Sequence, residues 1–166
     1  MAKHLFLIRH AKSDWNFDLP DFERPLNARG LKNAPYMAKK LAQQEIQPQL
    51  LVSSPANRAL STAQLFQEEF QEELNQHLPI EEERAIYEAS TPTLLKVINS
   101  FDNQYESIAI FGHNPGLSNL ANYLSATFEY DMPTCAIVHI QFGTDDWAEI
   151  SGDTGTMVWF NYPKLA

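Results

Sequence analysis

Cysteine is almost missing from this chain of 166 residues, where Cys135 stands alone. One thiol excludes an internal disulfide and any cysteine-built metal site, and Cys135 reads as a buried, inert side chain. Long apolar runs are missing as well. Nothing approaches the roughly 20 apolar residues of a membrane span, and the early run from Leu5 to Ile8 is too short for a secretory signal. The expectation is a cytoplasmic protein that does not engage a membrane. Repeats, low-complexity tracts and long linkers are also absent, so residues 1–166 read as one domain. Positive charge is scarce: 12 Lys and Arg face 21 Asp and Glu, for a formal net charge of −9. Such acidity repels nucleic acid at long range, and the stretch from Glu68 to Glu83 reads as a solvated helix face and loop. The few cations are informative wherever they cluster.

What is present is an α/β pattern whose strands stop on chemically active side chains. Lys3 to Ile8 is short and apolar, as a strand buried on both faces would be, and it ends at Arg9 and His10. Leu50 to Ser53 reads as a second strand leading past Pro55 to Arg58. Ser107 to Phe111 reads as a third, ending at His113. Helices alternate with them. Asn27 can cap one with Leu31, Ala34, Ala38, Leu41 and Ala42 at three–four spacing, and Ala59, Ala63, Phe66, Phe70 and Leu74 form the stripe of the next. Thr91-Pro92 opens a third helix, with Leu94, Leu95, Ile98 and Phe101 inward, and Asn114-Pro115 opens a fourth. Residues 12–26, with Pro20 and Pro25, read as a loop, and Glu83 to Tyr87 as a short strand. Ala136 to Phe142 and Thr156 to Tyr162 read as two last strands around a turn at Gly143 to Asp146. The order predicts a three-layer α/β/α sandwich with a mostly parallel central sheet and an antiparallel edge.

Side chains just past the carboxyl ends of strands in an open parallel sheet converge on one crevice. Arg9, His10, Arg58 and His113 would therefore meet there. A neutral imidazole nitrogen is a good nucleophile toward phosphorus, and the phosphoramidate it forms hydrolyses readily. Phosphoryl transfer otherwise needs in-line positioning and positive charge around the equatorial oxygens, which the planar fork of arginine matches. A metal site built from the same histidines lacks the i, i+4 pairing of zinc helices, and two arginines would repel a cation. No metal and no cofactor is expected. His4 and His139 read as packed strand histidines. Trp15, Trp147 and Trp159 read as packing residues, with Trp15 a possible wall of the crevice. Ser53, Ser54 and Ser118 lack a nucleophile elbow.

The segment Arg9-His10-Ala11-Lys12-Ser13-Asp14-Trp15-Asn16 resembles the Arg-His-Gly-Glu-Ser-x-x-Asn signature of the histidine phosphatase superfamily, which has the phosphoglycerate mutase-like fold. Ser53 to Ala63 resembles its second signature, Ser-Ser-Pro-x-x-Arg-Ala-x-x-Thr-Ala, and Gly112-His113-Asn114-Pro115-Gly116 supplies the second histidine. Asp21 to Gly30 and Met132-Pro133-Thr134 further resemble the SixA-type phosphohistidine phosphatase branch. The resemblance implies that His10 becomes phosphorylated. It also implies that Arg9, Arg58 and His113 hold the phosphoryl oxygens, that Asn16 donates to the pocket, and that Glu88 is the general acid. Asp14, Asp18 and Asp21 compete for that last role. Arg24 either lines the pocket entrance or anchors its loop by an ion pair. Two positions depart from the pattern: Ala11 replaces a glycine, and Lys12 replaces a common acid.

Mutases and sugar bisphosphatases of this superfamily place a helical cap between the counterparts of Arg58 and His113. The gaps here leave room for one helix and no lid. An uncovered pocket reads a small ligand poorly but admits a phosphate carried on a larger body. The expected partner is a phosphohistidine-bearing protein. The alternatives are a small phosphorylated substrate turned over by the same residues, or a non-catalytic phosphate-binding module.

Overall fold

The computed structural model describes residues 2–15, 18–126 and 131–164. Its centre is strand β1 (Lys3–Arg9), whose unbroken apolar run is divided by strand geometry between two cores. Leu5 and Leu7 enter one cluster, Phe6 and Ile8 the other, because successive side chains leave a strand on opposite faces. Strands β2 (Leu50–Ser53) and β4 (Ser107–Gly112) follow the same rule and are buried throughout. With β3 (Ile80–Glu82), β5 (Ile137–Phe142) and β6 (Gly155–Asn161) they form one sheet in the order β3-β2-β4-β1-β5-β6. The first four strands are mutually parallel, while β5 runs antiparallel to both β1 and β6.

Helices α1 (Ala28–Ala42) and α2 (Asn57–Leu74) cover one face, packing Met37, Leu41, Phe66 and Phe70 against Phe6, Ile8 and Phe111. Helices α3 (Thr91–Asn99) and α4 (Gly116–Leu124) cover the other, with Leu94, Ile98, Leu117 and Leu120 against Leu5, Leu7 and Ile110. The α/β/α sandwich with an antiparallel edge is therefore present. The chain leaves β1 toward one face and the adjacent β4 toward the other. Their carboxyl ends part and open a crevice at this switch point.

Several local expectations need correction. The strand placed at Glu83 to Tyr87 lies earlier, at Ile80–Glu82, because β2 ends at Ser53 and Glu83 N donates the last available ladder bond to Ser53 O at 2.8 Å. Arg84–Ile86 instead makes a 3-10 turn, capped where the Glu83 side chain accepts from Ala85 N. Leu31 does not join the core but is 54% exposed. Gly30 takes the inward position, since α1 approaches the backbone of Lys12 so closely that a Cβ there would lie 2.2 Å from its carbonyl oxygen. Asn27 caps α1 as expected, accepting from Gly30 N at 2.9 Å. The cap of α3 is Ser90 rather than Thr91, and α4 begins at Gly116 after a cis Asn114-Pro115 bond. The link between β5 and β6 is longer than a turn. It includes a 3-10 turn at Trp147–Glu149 that buries Trp147 completely, its indole N–H donating to Tyr105 O at 2.9 Å.

Candidate active site

A cavity of about 630 Å³ sits in the crevice, and Arg9, His10, Arg24, Arg58, Glu88 and His113 all line it. Backbone pairing sets the two histidines side by side. His10 N donates to Gly112 O at 3.0 Å, just beyond the last β1–β4 pair, Arg9 with Gly112. Their ring centroids stand 5.4 Å apart at 52°. Each ring is held separately. His10 Nδ1 lies 2.8 Å from Ala11 O; a carbonyl only accepts, so Nδ1 carries the proton and Nε2 keeps its lone pair. His113 Nε2 lies 2.8 Å from Ser54 Oγ, and Tyr87 packs edge-on to its ring at 5.4 Å. Ser54 Oγ also accepts from Ala56 N at 3.2 Å, and its hydroxyl proton remains available to His113.

Burial pushes the His10 imidazole down to about 3, helped by His113, Arg58 and Arg9 and opposed by the bond to Ala11. Burial also takes His113 down to about 4, with Arg58 and Arg9 adding to the effect and Asp21 opposing it. Both rings are neutral at pH 7, as a nucleophile requires. A phosphoryl dianion between them would reverse the balance at His113, since an opposite charge within a few ångströms favours the cationic form. Among the described residues, Nε of Arg9, Nε of Arg58 and Nδ1 of His113 are buried without a hydrogen-bond partner. That is uncommon for buried polar groups and leaves donor capacity for an anion.

The arginines are oriented by groups to which the sequence assigned no such role. Arg9 Nη1 donates to Met132 O at 2.9 Å, and Asn114 Nδ2 donates to the same carbonyl at 3.0 Å. Arg58 Nη1 donates to Asp21 O at 2.7 Å, and its Nη2 to Asp21 Oδ2 at 3.0 Å. Tyr87 Oη donates to the same Oδ2 at 2.7 Å, while Arg24 reaches Oδ1 through Nε and Nη2. Burial would raise the Asp21 carboxyl, but the Tyr87 bond and the two arginines outweigh it and hold it at about 2. Asp21 is thus ionised and committed to three donors, which disqualifies it as an acid at pH 7. Its partner Tyr87 is pushed up to about 12 by that bond. Asp14 and Asp18 do not line the cavity.

Both readings of Arg24 hold at once: it lines the cavity, and it anchors the loop through Asp21 and through Ser13 Oγ at 2.6 Å. Trp15 forms part of the wall, 73% exposed, with the Arg24 guanidinium 3.5 Å from its ring centre. Glu88 is exposed at the rim in a left-handed conformation (φ 52°), an uncommon backbone for a residue with a side chain. Gly116 lets that loop close on α4, because a Cβ would meet Ala89 O at 2.7 Å. Asn16 lies outside the described residues. Ala11 is wholly buried; its N–H donates to Thr62 Oγ1 at 3.0 Å and its methyl joins the α1–α2 core. Cys135 is buried, which raises its thiol and keeps it inert. Among the described residues, no group of three or more His, Cys, Asp or Glu is arranged to hold a metal, and no helix is long and apolar enough to cross a membrane.

Asp21, Tyr87 and Ser54 are the residues that sequence reasoning left without these roles. Asp21 and Tyr87 lie 66 positions apart, and no local motif links them. Only the place of Tyr87 beside Glu88 could have drawn attention to it.

The sequence model of the histidine phosphatase superfamily (branch 1) matches residues 5–94. The chain is 28% identical to an uncharacterized chloroplastic protein of Arabidopsis thaliana, over 96% of this chain and 75% of that one. Its fold matches that of the candidate phosphohistidine phosphatase SixA from Agrobacterium tumefaciens with a TM-score of 0.79 at 24% identity, covering 97% of this chain and 98% of the other. The protein histidine phosphatase SixA in complex with tungstate gives a TM-score of 0.77 at 22% identity, over 97% of each chain. The family match takes in Arg9, His10, Arg58 and Glu88, the residues contributed by the first two strand ends and the cavity rim. The chain therefore belongs to the histidine phosphatase superfamily (branch 1) and is a phosphatase of that type, with a SixA-like fold.

Proposed function

We propose that the protein removes phosphoryl groups from phosphohistidine on other proteins, through a phosphohistidine intermediate on its own His10. The observation that carries this is the fixed tautomer of His10, with Nδ1 bonded to Ala11 O and Nε2 free to attack beside Arg9, Arg58 and His113. In the first step the Nε2 lone pair forms a bond to phosphorus while the bond from phosphorus to the substrate imidazole breaks. The departing nitrogen takes a proton from Glu88. In the second step water attacks, Glu88 takes back a proton, and the bond to His10 breaks to release phosphate. Arg9, Arg58 and protonated His113 neutralise the charge that spreads over the equatorial oxygens.

The choice of a protein substrate is supported by the course of the chain between Arg58 and His113. Only the remainder of α2, β3, α3, β4 and their connections lie there, with no inserted cap. A cavity without that cover can accept a phosphoryl group displayed on a folded body.

Turnover of a phosphohistidine peptide and of a chromogenic phosphate ester, measured beside His10→Ala, tests the proposal. Expected is rapid release of phosphate from the peptide by the unaltered protein alone, with a phosphoenzyme that is acid-labile and alkali-stable. Glu88→Gln should slow the ester at least about tenfold and the peptide less, because an imidazole protonated on its other ring nitrogen can leave without the acid, so that only the attack of water then loses Glu88. Fast ester turnover with an untouched peptide would establish a small-molecule phosphomonoesterase instead. No turnover of either would leave a binding module.

A further inference from the structure

A second cavity of about 470 Å³ opens beside the first and shares Arg9, Lys12 and Thr134 with it. Its other lining includes Arg29 from the first turn of α1 and Lys164 from beyond β6, and among the described residues it contains no Asp or Glu. Six of the 12 Lys and Arg in this acidic chain line the two joined cavities: Arg9, Lys12, Arg24, Arg29, Arg58 and Lys164. Against them, among the described residues, stand Asp21, committed to Arg58, Arg24 and Tyr87, and Glu88 at the rim. Asp131 influences Arg9 but does not line the second cavity.

Lys12, Arg29 and Lys164 are exposed, and none makes a salt bridge with a described residue. Such clustering in a protein of net charge −9 marks one face that attracts anions while the rest repels them. The phosphoryl site has buried, convergent arginines. The groove differs: its three exposed cations come from separate elements and are spread along the wall. Spread cations on flexible stems suit several carboxylates on an extended segment better than one tetrahedral anion, which calls for a rigid fork.

Resting on the function proposed above, we infer that this groove docks acidic side chains flanking the phosphohistidine of the partner protein. Arg9 stands at the junction, so the phosphoryl group and the acidic flank are read from one continuous positive surface. The groove acts on binding and leaves the chemistry at His10 unchanged.

The test compares three phosphohistidine peptides, with flanks rich in Asp and Glu, neutral, or rich in Lys, alongside phosphoramidate, which reports the chemistry alone. The intact protein should favour the acidic peptide over the neutral one by about tenfold in kcat/KM, the scale of a few exposed charge pairs acting together. The preference should reside in KM and fade as salt is raised. Arg29→Glu with Lys164→Glu should abolish it while phosphoramidate turnover stays the same, and Arg29→Ala with Lys164→Ala should halve the effect. Equal use of all three peptides, or a preference that survives the double reversal, overturns the groove assignment and leaves the phosphatase proposal intact. A larger loss on a small molecule bearing two phosphates than on the acidic peptide also overturns it, in favour of a metabolite subsite. Failure to hydrolyse phosphoramidate or any of the peptides sinks both.

Discussion

The protein buries two pairs of histidines, one near each end of β1, and only one pair lines the cavity, with arginines beside it. His4 and His139 satisfy each other: Nδ1 of the first lies 2.9 Å from Nε2 of the second, and the His139 ring stacks on Phe6 at 4.3 Å. His10 and His113 share no hydrogen bond and are gripped from outside by Ala11 O and Ser54 Oγ. Burial depresses both pairs. It lowers His4, and with the help of His4 it brings His139 to about 4, as low as His113. Depression alone therefore does not mark a functional histidine. The pair proposed to act is distinguished by its arginines, by the lone pair left on His10 Nε2 and by the unpaired Nδ1 of His113.

Substituting one member of each pair should separate them most sharply. His10→Ala should reduce phosphatase turnover at least about a thousandfold, since no other group present can take over the nucleophile. His139→Ala should leave turnover within about twofold but cost about 1–3 kcal/mol of stability, because His4 loses its buried partner. Urea unfolding and a phosphate-release assay on the same samples settle both, and a catalytic collapse in His139→Ala would erase the distinction.

A smaller effect tests what sets the active pair among its arginines. Asp21→Asn weakens the ion pair to Arg58 and the grip on Arg24, and kcat should fall about tenfold through lost orientation. Tyr87→Phe, which removes one hydrogen bond to Asp21, should do the same more weakly. If Asp21→Asn alters only stability, the carboxylate has no positioning role.

The mildest contrast is in titration. All of these histidines bind protons less readily in the folded protein than at their ordinary value near 6.5. Between pH 6.5 and about 4 these four rings therefore hold more protons in the unfolded chain, and their contribution to stability falls as pH falls through that window. Asp21, held at about 2, adds its own loss only below the ordinary carboxylate range. Urea midpoints at successive pH values should show this decline, and His139→Gln should flatten it. Added phosphate should raise the titration point of His113 and leave that of His139 unmoved, as followed by the imidazole resonances. Equal response of the two rings would show that the anion does not sit beside His113.

Much of the site was legible because each of its central groups ends or closely follows a conspicuous apolar run. Arg9 and His10 close β1, His113 follows β4, and Arg58 comes a few residues after β2; sheet geometry gathers such ends whatever the loops do. The positions of Glu83 to Tyr87 and of Leu31 were misread for a common reason. Local periodicity does not reveal that β2 runs out at Ser53, nor that Gly30 must face the backbone of Lys12. Asp21 was legible as a carboxylate in the right loop but not as the hub of Arg58, Arg24 and Tyr87.

The amino-acid sequence by itself determined the three-layer architecture, the family and the four groups that meet at the crevice, since alternation of apolar runs with capped helices and the order of motifs are local properties of the chain. Only the tertiary structure decided which nitrogen of His10 is free, why Asp21 cannot serve as the acid, and where the spare cations gather. Those are facts about partners far apart in the chain, set by which backbone carbonyl, hydroxyl or carboxylate the packed sheet brings within hydrogen-bonding distance.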